Sequence, residues 1–271
     1  MLKILLDDNA AYTDYSIKCE NFIRDNFTHT IVASEDAILI GYHKPIERVY
    51  IELTTPNTNS ASMTVNYYDG STFTASSGLV DLTDGLTRSG FVYWDRSQTD
   101  NAKTTINSLE RYWYEINLDV DTSATQIAGI NILFSDDFDL LEVDAEVLSF
   151  MHSGDNSMIR FHQAARNEIV QRLNNSGKLK INSSGQREKL NAYDLLDPTD
   201  LKEASKYLTL ARIYEPISDE VDDKYNQKFK QYFQTYQDAF NLYMTSIDLD
   251  DDGVADSGEV NRISFGRIVR V

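Results

Sequence analysis

The chain has 271 residues, 41% of them hydrophobic, with 12 Phe, 16 Tyr, 4 Pro, 12 Gly and a formal net charge of −18. This is enough apolar material for one large domain or two ordinary ones, and it excludes a disordered tail or a collagen-like polymer. The charge repels nucleic-acid phosphate and anionic lipid, and no apolar run approaches the ~18 residues a membrane helix needs, so no membrane partner is expected.

The start, Met1-Leu2-Lys3-Ile4-Leu5-Leu6-Asp7-Asp8, turns acidic too early for a secretory segment, so a soluble protein made in a cytoplasm is expected. A single cysteine, Cys19, excludes an internal disulfide and reads as a buried, inert thiol. Residues 1–150 carry 24 acids against 9 bases, and residues 151–271 carry 19 against 16. That contrast supports a boundary near 150.

Residues 1–150 read as short strands. Thr30–Ala33 and Ala37–Tyr42 flank Ser34-Glu35-Asp36, and Arg48–Leu53 alternates through Val49, Ile51 and Leu53. Ser62–Tyr68 alternates through Met63, Val65 and Tyr67, and Tyr68-Asp69-Gly70-Ser71 is a hairpin turn returning through Thr72–Ala75. Leu79–Leu82, Gly90–Trp94, Arg111–Leu118 and Ile127–Phe134 complete the set. Turns every 8–12 residues predict an antiparallel β-sandwich. Trp94 and Trp113 fall in strand patterns and read as core or rim aromatics.

The second half changes period. From a cap at Asp155 or Ser157, Met158, His162, Ala165, Ile169 and Leu173 recur at helical spacing up to Asn174-Asn175-Ser176-Gly177. Asp197-Pro198-Thr199-Asp200 opens a second helix with Leu201, Ala204, Leu208 and Ala211 on one stripe and Pro216 as its stop. A third starts in Asp219-Glu220-Val221-Asp222-Asp223, and ~25 residues would make it about 37 Å long. Its Tyr232, Phe233, Tyr236, Phe240 and Tyr243 form an aromatic surface that either packs on the other helices or on neighbouring subunits.

Asp248–Glu259 fits the twelve-residue pattern D-x-D-x-D-G-x5-E at every fixed position. Ca2+ takes six to eight oxygens. Asp248, Asp250 and Asp252 would bring carboxylates to one side of a tight loop, and Gly253 permits the turn. Val254 would offer its carbonyl, Asp256 would bind directly or through water, and Glu259 would close the site with both oxygens. The residue at the loop's eighth position is Ala255 and no second loop is present, so a lone structural clamp is expected rather than a paired switch. The remaining stretch, 260–271, is β-rich and basic. Arg262, Ile263, Phe265, Arg267, Ile268 and Arg270 make it either a strand of the chain's own fold or an arm added to another chain's sheet edge, with the arm favoured.

No Walker-type, dinucleotide-binding, GxSxG or HExxH motif occurs, and His29, His43, His152 and His162 lack metal-ligand spacing. Tyr68-Asp69-Gly70 and Leu79-Val80-Asp81 could host carboxylates for glycoside hydrolysis, but any acidic β-rich chain offers such pairs. A non-enzyme is expected.

Four stretches carry a resemblance: Ile169–Leu173; Tyr193–Leu201; Ala204–Tyr214; and Lys228, Tyr232 and Tyr236. They resemble the head–tail connector (adaptor or neck) proteins of tailed bacteriophages. The resemblance implies a virion protein, assembled in the host cytoplasm, of which about twelve copies form a ring below the portal. It also implies an acidic lumen through which DNA passes, and a C-terminal arm reaching a neighbour, the portal or another tail or neck protein. Ile40–Ile51 and Asn66–Ser71 resemble the β-sandwich accessory modules of virion proteins, similar in outline to carbohydrate-binding modules. Connectors usually lack so large an N-terminal module.

The expectation is therefore an α+β multidomain protein. It has a β-sandwich accessory domain over 1–150, and a helical connector domain over 151–271 with the calcium loop and a terminal β arm. Its role would be a calcium-stabilised connector ring subunit, with a glycan-binding module or a tail or baseplate protein as alternatives.

Overall fold

The computed structural model describes residues 2–20, 27–33, 35–95, 100–176, 179–181, 186–190, 192–195, 198–218, 223–242, 244–246 and 260–262. The chain divides into two compact units, Met1–Ile132 and Leu133–Val271. It is mixed α+β, with antiparallel sheets in the first unit and helices dominating the second.

The first unit runs β1 (Lys3–Asp8), β2 (Ala11–Asp14), α1 (Ser16–Glu20), β3 (Phe27–His29), β4 (Asp36–Tyr42), β5 (Arg48–Thr55) and β6 (Met63–Tyr68). It continues through β7 (Phe73–Ala75), β8 (Val80–Asp81), β9 (Gly90–Tyr93), β10 (Lys103–Ile106), β11 (Leu109–Leu118) and β12 (Thr125–Asn131). One sheet has the order β2-β1-β4-β11-β6-β7, with β10 added to β11, and the other has the order β3-β12-β5-β9-β8. Every described pairing is antiparallel.

Alternation does the expected work in β6, where Met63, Val65 and Tyr67 are buried and Thr64 is exposed. In β4 all seven residues are buried, so that strand is covered on both faces. One cover is a small cluster of Leu5, Leu39 and Trp113 under Phe73, Ile106 and Leu109. Trp113 lies flat over Gly41, its paired residue across the ladder, and donates its indole N–H to the Thr104 carbonyl at 3.1 Å. Tyr114 of β11 lies 5.1 Å from Trp94 between ring centroids. Both tryptophans are buried core residues.

Two strand pairs arise that the sequence patterns do not announce. The β1–β2 and β10–β11 hairpins turn on Asn9-Ala10 and Asn107-Ser108, each with two consecutive positive φ values. This is the backbone of a tight two-residue turn, usually carried by Asn-Gly. The Tyr68–Ser71 turn forms as expected, with Gly70 at φ 98° and the Asp69 carboxylate accepting the amides of Ser71 and Thr72. The strand anticipated over Thr30–Ala33 lies instead at Phe27–His29, and Ile31 ties its amide and carbonyl to Thr122.

The second unit begins at Leu133, earlier than position 150. Phe134 joins the helical core with Ile169, Leu201 and Phe240, and Leu140 and Val147 pack with Leu210 and Tyr214. Moving the boundary removes the charge contrast: residues 1–132 carry 18 acids against 9 bases, and residues 133–271 carry 25 against 16, a balance of −9 in each. The helices are α2 (Asp137–Leu141), α3 (Ile159–Asn175), α4 (Lys202–Tyr214) and α5 (Lys224–Leu242), with a 3-10 turn Pro198–Leu201 leading into α4. Ribbons β13 (Leu179–Ile181) with β14 (Arg187–Lys189) and β15 (Met244–Ser246) with β16 (Val260–Arg262) complete it.

The predicted stripes of α3 and α4 are all buried. The α5 helix begins at Lys224 and has 19 residues, shorter than the run anticipated. Asp223 caps it by accepting the Asn226 amide at 2.5 Å. Tyr232, Tyr236 and Phe240 are 7, 1 and 0% exposed, so packing within this one chain already covers them. Tyr243 lies outside the described residues.

A Cβ at position 41 would sit 2.6 Å from the Trp113 ring. Gly41→Ala should therefore lower stability by about 2–3 kcal/mol, read as a fall in urea midpoint at constant slope. Ala10→Gly should move the other way by about 0.5–1 kcal/mol, because Ala10 holds a left-handed φ of 67°.

Candidate functional site

The polar chemistry of the second unit is concentrated in one acidic segment, Asp136–Glu146, which wraps α2 and reaches three helices. The segment is held locally by a capping box: Asp136 accepts the Asp139 amide and Asp139 accepts the Asp136 amide, both at 3.0 Å. From this frame three acids point to different helices.

Asp137 meets His162 of α3 at 3.1 Å from Nε2 and accepts the Met158 amide at 3.0 Å. Asp139, 4% exposed at its side chain, pairs with Lys202 of α4 at 2.5 Å. Asp144 collects Lys228 of α5 at 2.6 Å, the Tyr214 hydroxyl of α4 at 2.7 Å and the Tyr232 hydroxyl of α5 at 3.0 Å. Burial pushes the Asp144 carboxyl up. The hydrogen bonds from Lys228, Tyr214, the Glu146 amide and Tyr232 outweigh that and hold it below its ordinary value of 3.8. Asp137 balances the same way: burial raises it, but His162 and the Met158 amide bring it below 3.8. Tyr214 and Tyr232 are pushed above the usual phenol range, first by burial and then by the Asp144 charge.

His162 also contacts Ser135 Oγ through Nδ1 at 3.1 Å, and Ser135 Oγ lies 2.8 Å from Ser205 Oγ. The Asp137 carboxylate accepts from Nε2, and Nδ1 lies against the Ser135 hydroxyl. The residue types are those of a hydrolytic triad, but Ser135 and His162 are 0 and 1% exposed. A nucleophile must reach a substrate. Here the serine faces Ser205 of α4, and the trio braces the entry segment to α3 and α4.

Beside this brace, α3, α4 and α5 frame an open groove of about 590 Å³. Asn167, Gln171 and Asn175 line it from α3, Arg212 from α4, and Phe233 and Tyr236 from α5. Arg212 pairs with Glu168 and Glu215, both at 2.5 Å, and the Arg172 guanidinium stacks over Phe240 at 4.3 Å and Tyr236 at 5.3 Å.

The anticipated calcium ligands Asp248, Asp250, Asp252, Val254, Asp256 and Glu259 lie outside the described residues, as do Ile263, Phe265, Arg267, Ile268 and Arg270 of the arm. Of the arm, Val260–Arg262 is described as β16, and it pairs with β15 in this chain through Met244↔Arg262 and Ser246↔Val260. Among the described residues no group of three or more His, Cys, Asp or Glu is placed to hold a metal ion. No described helix is long and apolar enough to cross a membrane.

The two carboxylates weighed for glycoside hydrolysis are committed to turns. Asp69 is held well below the usual carboxylate range by the Thr72 and Ser71 amides and the Ser71 and Thr74 hydroxyls. Asp81 accepts the amides of Thr83 and Gly85. Cys19 is buried, which pushes its thiol up to about 12. The acids of the Asp136–Glu146 segment escaped the sequence reading because they sit at no motif spacing. Their signal was their density just before the first long helix.

Asp144→Asn should destabilise the protein by about 2–3 kcal/mol in chemical denaturation, since it strips the charge from Lys228 and an acceptor from two tyrosines. Asp137 and Asp144 bind protons less readily folded than unfolded. Their contribution is therefore complete at neutral pH and lost as pH falls through 3.8 and on through their lower folded values. The wild type should lose more stability than Asp144→Asn between pH 5 and pH 3 (about two units spanning the carboxylate range), and parallel losses would exclude Asp144 from the acid response.

No protein-family model, curated protein or solved structure matches the chain.

Proposed function

We propose that the chain is a structural subunit of a multi-copy virion assembly, a head–tail connector ring joining portal to tail. In this reading the helical unit is the ring-forming body, the N-terminal sheets are a β-sandwich accessory module, and the Asp248–Glu259 loop holds one calcium ion. The observation that carries it is convergence. Of the residues bearing the connector resemblance, Ile169, Leu173, Leu195, Leu201, Ala204, Leu208 and Tyr236 meet in one core spanning α3, α4 and α5. Stretches scattered over nearly seventy positions thus belong to one folded body, as a shared architecture requires.

The calcium assignment is supported by the flanks of the loop. The β15–β16 ribbon pairs Ser246 with Val260, the two residues that flank the stretch 247–259, as ladder partners about 5 Å apart. A twelve-residue ligand set closed at its base has already lost much of the loop entropy that binding would otherwise remove. The flanks differ from a helix–loop–helix hand, which suits a fixed clamp that sets how the last strand leaves α5.

Two measurements test the reading. Electron microscopy of the purified protein mixed with its portal should show rings near twelvefold (about twelve copies), and a portal-bound monomer or an intact neck lacking this chain would sink it. Stripping calcium with chelator should lower the melting temperature by about 5–10 °C relative to saturating calcium. Asp250→Asn with Glu259→Gln should abolish that difference, and an unchanged melting point on chelation would remove the metal from the account.

A further inference from the structure

The first sheet ends in an unpaired edge at β2. The β1–β2 hairpin closes on the two-residue turn Asn9-Ala10, so the flanking pair Asp8 and Ala11 exchange ladder hydrogen bonds, and Leu6 and Thr13 do the same. The alternate residues Tyr12 and Asp14 therefore direct their backbone N–H and C=O groups away from β1. All four residues of β2 are exposed, and no described residue bonds those outward groups. Such an edge accepts an extended segment, which presents donors and acceptors at the same spacing.

Charge narrows the occupant. Asp7 stands beside Tyr12 in the ladder, and Glu115 shares the same sheet face through the row Leu5, Leu39, Glu115. Asp8 lies opposite Asp36 of β4. Asp14 has Lys3 at 3.7 Å, but none of Asp7, Asp8 and Glu115 pairs with a cation among the described residues. Burial, and then the charges of Glu115, Asp36 and Asp8, push the Asp7 carboxyl above its ordinary value of 3.8, against the Ala10 amide that lowers it. Among the described residues no three acids converge to hold a metal ion, so the complement of this strip is a side-chain cation. The β10 strand differs in sign, with Lys103 and the neighbouring Arg111, while at β7 and β8 the carboxylates of Asp69 and Asp81 accept turn amides.

The chain itself contains an extended, cationic complement. Residues 263–271 hold Arg267 and Arg270, no acid, and the strand-favouring Ile263, Phe265, Ile268, Val269 and Val271. The two arginines are three apart, so on a strand they would lie on opposite faces, and one guanidinium meets the Asp7 side whichever way the strand is laid.

We propose that the outer edge of β2 receives residues 263–271 of a second copy as an added strand, with an arginine set against Asp7 and Glu115. The inference rests on the multi-copy reading above and names the contact between copies. An edge on one copy filled by a different segment of the next is a heterologous contact, the kind that closes into rings.

Sedimentation velocity on the full chain up to about 100 µM should show self-association, a range that captures micromolar contacts. Tyr12→Pro removes an outward N–H that β1 does not use, and should weaken association at least about tenfold. Arg267→Glu with Arg270→Glu should do the same without touching the first unit. Asp7→Lys should also weaken association alone, yet a mixture of the Asp7→Lys chain with the double-Glu chain should associate again, because each then offers the charge the other lacks. Wild-type association that survives both Tyr12→Pro and the double-Glu change overturns the edge contact while leaving a ring built through other faces. A mixture that stays monomeric overturns the pairing of Asp7 with these arginines. A wild type monomeric throughout the range overturns the contact between copies, whereas the ring with portal is judged separately by its images.

Discussion

The fold of the second unit depends on burying negative charge in a segment built on the five-residue helix α2. Asp136–Glu146 contains six acids, and three of them reach inward to α3, α4 and α5 respectively. Removing a carboxylate from water is costly unless hydrogen bonds and an opposite charge compensate. Here each one is compensated by a different helix, so the segment is stable only when all the helices are in place. The same contacts that satisfy the acids therefore set the relative positions of the helices, and the apolar cores around Leu208 and Tyr214 fill the space that this framework defines.

This dependence explains which parts of the chain were legible beforehand. The stripes of α3 and α4 follow from spacing alone, because a helix must bury one face and Met158 through Leu173 recur accordingly. The aromatic surface of α5 was ambiguous because periodicity counts apolar residues without saying what covers them. Tyr214 and Tyr232 resolve it: their hydroxyls end on Asp144, so the rings turn inward to an acceptor supplied from seventy or more positions away. No local pattern encodes that distance. The compact units divide at Leu133, and composition points near 150, for the same reason. A composition contrast treats the acids of 136–146 as surface charge of the first half, whereas they are internal partners of the second.

In the first unit the missing information was turn chemistry. Strands with clear alternation, such as β6, were readable, whereas β1, β2 and β10 were not. Their hairpins turn through Asn-Ala and Asn-Ser, which adopt left-handed backbone at some cost where glycine would adopt it freely. The tight turn is tolerated because the strands it joins are anchored: Leu5 and Leu39 lie under Trp113 in the middle of the sheet, and Ile106 and Leu109 close over it. Packing distant in sequence thus overrides a local preference that would have placed a loop.

The acidic segments of the chain separate by how their charge is compensated. At Asp136–Glu146 the carboxylates find lysines, tyrosines, a histidine and backbone amides, and no metal is needed. The stretch Asp248–Glu259 contains six acids and no lysine, arginine or histidine. The residues that flank it, Ser246 and Val260, are partners in the β15–β16 ladder. A dense anionic loop closed on itself is stable in proportion to the cation it can recruit, and alternate aspartates with a terminal glutamate supply the oxygen count that calcium takes. The two segments solve one electrostatic problem in two ways, the first with protein cations and hydroxyls gathered from three helices and the second, in the reading proposed here, with an ion from solution.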